Sequence, residues 1–313
     1  PFNFLISYDI FYNPINDKLK INNFSFSFMN SNWLKLSGTV GSVTGTRTLD
    51  IKMDQSVIPL KDLYPYYVIV TGDRSTRFGG EISLFPMVIK GTAVNPDIKG
   101  NVSFKNIYFK NPGTEASIPF IGFDYSAAAS GGTMEIGAGL KIPHLAYVID
   151  GSKSGDNGLK LTVSATGHNN FKSVKINGVS LDFFNPGGGD ALSINLAGDI
   201  NMEKGILGNI FLSRFRINTA PLVSMVPGKF RKQLASIPLK KPVDLNIGLN
   251  FILGDDRISA GLDILAMIPD YGVNDLKLNA AVVQDNKEKK VALNNLYLGS
   301  KSMNLSLNAG GML

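Results

Sequence analysis

The residues able to move protons or hold ions are few in this chain. Only His144 and His168 carry an imidazole, and cysteine is absent from the 313 residues. Thiol nucleophiles, disulfide frameworks and thiolate zinc or iron–sulfur sites are therefore excluded. His144 lies in Leu140-Lys-Ile-Pro-His-Leu-Ala-Tyr and His168 in Thr166-Gly-His-Asn-Asn. General acid–base work needs a positioned carboxylate or hydroxyl partner, and no spacing marks one out. Both read as strand or turn histidines. Asp156-Asn157 and Asp255-Asp256 lack the D-x-[DN]-x-[DN]-G ligand spacing of a calcium loop, and such turns form without an ion. Glu81, Glu115, Glu135, Glu203 and Glu288 are scattered, with no pair flagged for glycoside chemistry. Gly131-Gly132 and Gly187-Gly188-Gly189 match no phosphate-binding phrase and read as hairpin loops. The expectation is a protein that is not an enzyme and has no metal or resident cofactor.

Charge narrows the partners only a little. The net charge is +6, from 31 basic and 25 acidic residues. Most cations are spread singly through strand-like segments; the one cluster is Lys229, Arg231 and Lys232, followed by Lys240 and Lys241. That pattern predicts a mixed surface and no nucleic-acid partner. No apolar run approaches the ~18 residues of a membrane-spanning helix. The chain opens on Pro1-Phe2-Asn3 and closes on Gly310-Gly311-Met312-Leu313, straight after a strand pattern, so it reads as a piece of a longer protein.

The elements that must position these side chains are strands. Phe24, Phe26 and Phe28 alternate with Asn23, Ser25 and Ser27. Leu245, Ile247, Leu249 and Phe251 alternate with polar residues and glycine. The same period recurs at Leu161/Val163/Ala165, Leu192/Ile194/Leu196, Ile258/Ala260/Leu262/Ile264, Leu276/Leu278/Ala280/Val282 and Met303/Leu305/Leu307. A period of two sends alternate side chains to opposite faces, giving each strand one greasy side. Helical signals are confined to Thr219 to Ile237, broken at Pro227-Gly228, and to Leu60 to Tyr67, interrupted at Pro65. Both are read as caps on a sheet, with Tyr64, Tyr66 and Tyr67 either capping it or forming a belt at a lipid interface, and with Leu222 to Leu234 either packing its apolar stripe in the core or resting it on a membrane surface.

A loose repeat organises the strands. Ile21-Asn-Asn-Phe-Ser-Phe, then Leu34-Lys-Leu-Ser-Gly, parallels Leu293-Asn-Asn-Leu-Tyr-Leu, then Leu305-Ser-Leu-Asn-Ala-Gly. Val174-Lys-Ile-Asn-Gly-Val-Ser-Leu, then Ile194-Asn-Leu-Ala-Gly, repeats the theme, and Val102-Ser-Phe-Lys-Asn-Ile-Tyr-Phe carries its first half. The polar kink predicts a β-bulge, where one extra residue resets which face the side chains take.

These phrases, with Lys90-Gly-Thr-Ala-Val-Asn-Pro-Asp-Ile-Lys-Gly100 and the insert Ala220-Pro-Leu-Val-Ser-Met-Val-Pro, resemble the repeating strands of AsmA/TamB-like envelope proteins, which are similar in architecture to chorein-type lipid bridge proteins. The resemblance implies a mostly β fold: a long, curved antiparallel sheet folded like a taco, with one or two short helices, as a single groove domain over residues 1–313. It further implies a non-enzymatic lipid-conducting module of the bacterial envelope, serving inter-membrane lipid transport and outer-membrane biogenesis. Phospholipid acyl chains, or a bound fatty acid, would lie on Phe24, Phe26, Phe28, Leu245, Ile247, Leu249, Leu262, Ile264, Leu276, Leu278, Leu305 and Leu307. The expected place is the periplasm, with inner- and outer-membrane attachment through segments outside this chain. The residues alone leave another solution open: two greasy faces closing as a cell-surface sandwich that binds protein or glycan. A carbohydrate-active enzyme is a third.

Overall fold

The computed structural model describes residues 3–312, apart from 30, 170, 188, 204, 255, 256, 286, 288 and 289. Asp255-Asp256, Gly188 and Glu288 thus lie outside the described residues. The protein is mostly β and antiparallel, and it divides into two compact units, residues 1–158 and 159–313.

In the first unit, β1 (Phe4–Asn13), β2 (Lys18–Phe28), β3 (Ser31–Gly41) and β4 (Thr48–Met53) form a meander. β5 (Ser56–Pro59), α1 (Tyr64–Thr71) and β6 (Arg77–Leu84) follow, then β7 (Met87–Thr92) and β8 (Pro96–Asn111). β4 pairs with β7 and β5 with β6. β7 then flanks the first half of β8 and β6 the second. β9 (Thr114–Ser130), β10 (Thr133–Ile149) and β11 (Ser152–Lys153) continue the sheet. The second unit holds β12 (Asn157–His168), β13 (Ser173–Asn185), β14 (Gly189–Asn201) and β15 (Ile206–Ile217). Next come α2 (Thr219–Met225), α3 (Gly228–Ala235), β16 (Val243–Leu253), β17 (Arg257–Ile268), β18 (Val273–Asp285), β19 (Lys290–Ser300) and β20 (Leu305–Met312). From β13 onward each strand pairs with the next. Among the described residues the pairing within neither unit returns to its first strand, so the sheet is open in each.

Among the described residues there are three short α-helices, and the break predicted at Pro227-Gly228 divides α2 from α3. Pro65 does not interrupt α1 but opens it: a proline in the first turn loses no helical hydrogen bond there. The helix runs on to Thr71 and stops at Gly72 in the left-handed region. Met303 departs from its predicted strand. It sits in the turn before β20, which begins at Leu305.

The predicted bulges fall at the asparagines. Register shifts bracket Asn22-Asn23 in β2, Asn177-Gly178 in β13 and Asn294-Asn295 in β19, and Asn106 of β8 takes φ +52° beside another. The closing glycines of two repeats explain themselves here. Gly38 pairs with Ile21 next to the first bulge, and Gly198 with Ile176 next to the second. A Cβ on Gly38 would overlap the Asp50 carbonyl oxygen, and one on Gly198 the Asn209 carbonyl oxygen. The repeat is thus a bulge plus the side-chain-free residue that lets the neighbouring strand close over it.

Two aspartates pin connections between elements. Asp73, just after α1, accepts from the backbone and hydroxyl of Ser75, both at 2.7 Å, and from Tyr67 Oη at 3.0 Å. Asp275 of β18 accepts from Ser300 Oγ (2.7 Å), Ser302 Oγ (2.7 Å) and the Lys301 amide (3.0 Å), fixing the β19–β20 turn. Hydrogen bonds hold both carboxyls far below their ordinary value of 3.8, led by the Thr76 hydroxyl for Asp73 and the Ser302 hydroxyl for Asp275. A depressed folded-state pKa means the stabilisation is complete above about pH 5 and fades as pH falls below about 4 toward the folded value. Hydrogen-exchange protection of the β19–β20 turn should therefore drop in acid. In Asp275→Asn it should be low already at neutral pH and should not fall further in acid.

Candidate functional site

Strand register assembles the predicted residues into rows. In the second unit Leu212, Ile247, Ile264, Leu278, Leu298 and Leu307 face one another strand by strand from β15 to β20. Beside that row run Leu249–Leu262–Ala280 and Leu245–Ala266–Leu276. Leu305 extends the same face on β20, opposite Ser300. In the first unit Phe24, Phe26 and Phe28 stand opposite Tyr8, Ile6 and Phe4, and Phe24 and Phe26 also pair with Leu36 and Leu34. The row continues through Met53 and Met87. One face of each sheet is therefore apolar over its breadth.

That face is not covered. Among the described residues the fully buried apolar side chains are Phe28, Met53, Ile58, Ala191, Met225, Ala266 and Val273. Of the predicted site residues only Phe28 is buried; Phe24, Phe26, Leu245, Ile247, Leu249, Leu262, Ile264, Leu276 and Leu278 are half-buried, and Leu305 and Leu307 are exposed. Side chains in such rows shield one another laterally while their outer surfaces meet solvent.

Helices cover only the ends. The Tyr66 ring packs 5.5 Å from Phe28, which also meets Trp33 at 4.9 Å. Tyr64 and Tyr67 close on Phe78 at 5.7 and 5.3 Å. The tyrosine cluster therefore caps the apolar face, with Arg77 donating to Tyr64 Oη at 2.6 Å. In the second unit α2 packs on β13 and β14, where Met225 and Ala191 are each 1% exposed.

The opposite face is built from polar cross-strand pairs. Asn101 donates to Asp124, Asn279 to Asp263, Asn209 to Asp199 (3.3 Å) and Ser193 to Asp182 (2.7 Å). Arg216 donates from Nη2 to Asp244 at 3.0 Å. A depression of about 610 Å³ in the second unit is lined by polar and apolar residues alike, among them Leu212, Ile247 and Ile264 with Asn246, Asp263 and Lys277. Ile247 and Ile264 of the predicted site thus contribute to its walls, and the other predicted residues lie outside it. The side-chain amide-to-carboxylate ladder escaped sequence reading, because it depends on register and not on spacing.

His144 has a partner that its sequence context did not reveal. Its Nδ1 lies 2.8 Å from Asp156 Oδ2, and both side chains are about half exposed (54% and 50%). The pair joins residues from β10 and the loop before β12. Asp156 is thereby engaged with an imidazole, and no group of three or more metal-ligating side chains occurs among the described residues. Among the described residues no helix is long and apolar enough to cross a membrane. No protein-family model matches the chain, and no curated protein or solved structure does.

Proposed function

We propose that the chain is a non-enzymatic, lipid-binding and lipid-conducting module of a bacterial envelope, carrying phospholipid acyl chains on its apolar sheet faces. The observation that carries this reading is the uncovered row Leu212–Ile247–Ile264–Leu278–Leu298–Leu307 with its parallel neighbours. Apolar surface left to water is costly at roughly 25 cal/mol per Å². An acyl chain of about fifteen methylenes, at ~0.8 kcal/mol each, supplies on the order of 12 kcal/mol of gross burial before ordering costs. Methylene contacts are non-directional, so the face selects for acyl chains as a class rather than for one lipid. The sequence resemblance to AsmA/TamB-like proteins points the same way, and with it to the periplasm and to inter-membrane transport in outer-membrane biogenesis. Protein purified without detergent from a Gram-negative host should release phospholipid on organic extraction and show lipid-sized adducts in native mass spectrometry. Lipid-free protein at natural abundance, which also fails to load from vesicles, would contradict the reading.

A further inference from the structure

We propose that α3 and the segment after it form a docking element for an anionic bilayer surface. α3 buries none of its residues and rests against α2. Phe230 and Leu234, spaced i and i+4, share one side of α3, and Ile237 follows just beyond its end. Phe230 is 39% and Ile237 41% exposed. Lys229 and Arg231 flank Phe230, and Lys232, Lys240 and Lys241 add exposed positive charge. Residues 204–243 contain no aspartate or glutamate. The nearby Asp270 carboxylate is taken up by the backbone amides of Lys240 and Lys241, at 2.5 and 2.7 Å.

Further details fit an interface between water and lipid. The Lys229 ammonium sits 5.0 Å over the Phe230 ring, placing a cation and an apolar ring in one spot. The Arg231 guanidinium donates to the carbonyls of Val226 (3.1 Å) and Ser224 (3.3 Å), tying α3 to α2, whose Met225 is anchored at the sheet end. A short helix with aromatic and aliphatic residues between cations lies in the headgroup plane, apolar side down. The charge complement of so acid-free a stretch is an anionic lipid surface, and the apolar stripe among the cations favours a bilayer over a polyanion without an apolar phase. This deepens the lipid reading and takes from it only the class of partner.

The test is co-sedimentation of the whole chain with vesicles. Vesicles containing roughly 30% phosphatidylglycerol in phosphatidylcholine should bind it, and pure phosphatidylcholine should not. The combined variant Lys229→Gln, Lys232→Gln, Lys240→Gln and Lys241→Gln keeps Arg231 in place and should lower partitioning by about 100-fold or more. High salt should do the same to the unaltered protein. Phe230→Ala should weaken binding about tenfold and leave the salt dependence in place. Unchanged binding of the folded glutamine variant, equal binding to neutral vesicles, or tighter binding to duplex DNA than to anionic vesicles would overturn the proposal. Acyl loading, read by native mass spectrometry, should persist in the glutamine variant. A failure of docking is in this way distinguishable from a failure of the apolar face.

Discussion

Ile247→Asp should fold and yet lose its lipid. Ile247 is half-buried, in register with Leu212 and Ile264 on the apolar face of the second unit. A carboxylate there retains contact with water in the lipid-free protein, so the expected stability loss is no more than about 2 kcal/mol. Once an acyl chain covers the row, that carboxylate is cut off from solvent without a partner. Lipid occupancy should then fall at least about 30-fold, from the desolvation of an unpaired charge and the lost apolar contact. Met225→Asp is the contrast. At 1% exposure the new charge has nowhere to go, and the protein should fail to fold or lose more than about 4 kcal/mol. Thermal melts of the two variants, with extracted lipid quantified for the first, check both halves. Unfolding of Ile247→Asp to the same degree as Met225→Asp would mean that the face is a sealed core.

A second large effect is expected at the glycines that oppose bulges. Gly38 has φ +145°, and an added Cβ would collide with the Asp50 carbonyl oxygen and approach the Ile51 Cα at 2.7 Å. The obstacle is backbone held in a ladder, so it cannot swing aside as a side-chain tip would. Gly38→Val should cost about 3 kcal/mol or more from strain and overpacking, which lowers Tm by roughly 5 °C or more in a chain of this size. Gly198→Val should behave alike, since the Asn209 carbonyl stands in the same relation to it. Gly45, with nothing within 4 Å of its Cβ position, serves as the control, and Gly45→Ala should stay within about 0.5 kcal/mol. Equal Tm values for the three variants would refute the bulge-and-glycine account of the repeat.

Much of this architecture is legible in the sequence, for a physical reason. A sheet with one apolar face writes a period of two into every strand, and it writes asparagine or glycine where the period slips. Phe24, Phe26 and Phe28, and Leu245, Ile247 and Leu249, therefore land on the faces their spacing predicts. The slip between Leu212 and Phe215 escaped because Ser213-Arg214 carries no such mark. The division of labour among β4, β5, β6 and β7 escaped too: register between distant segments is a tertiary property that no local pattern records. The pairing of His144 with Asp156 depends in the same way on a hairpin that brings together residues twelve apart.

On the proposed function, lipid should contact one face of the sheet and not the other. This is tested most directly by photo-crosslinking, with p-benzoylphenylalanine placed singly at Leu249, Leu262 or Leu278 and, on the opposite face, at Asn250, Asp263 or Lys277. In the presence of phospholipid, the account predicts lipid adducts from the first set and none above background from the second. Adducts that appear equally from both sets, or from neither, would contradict it.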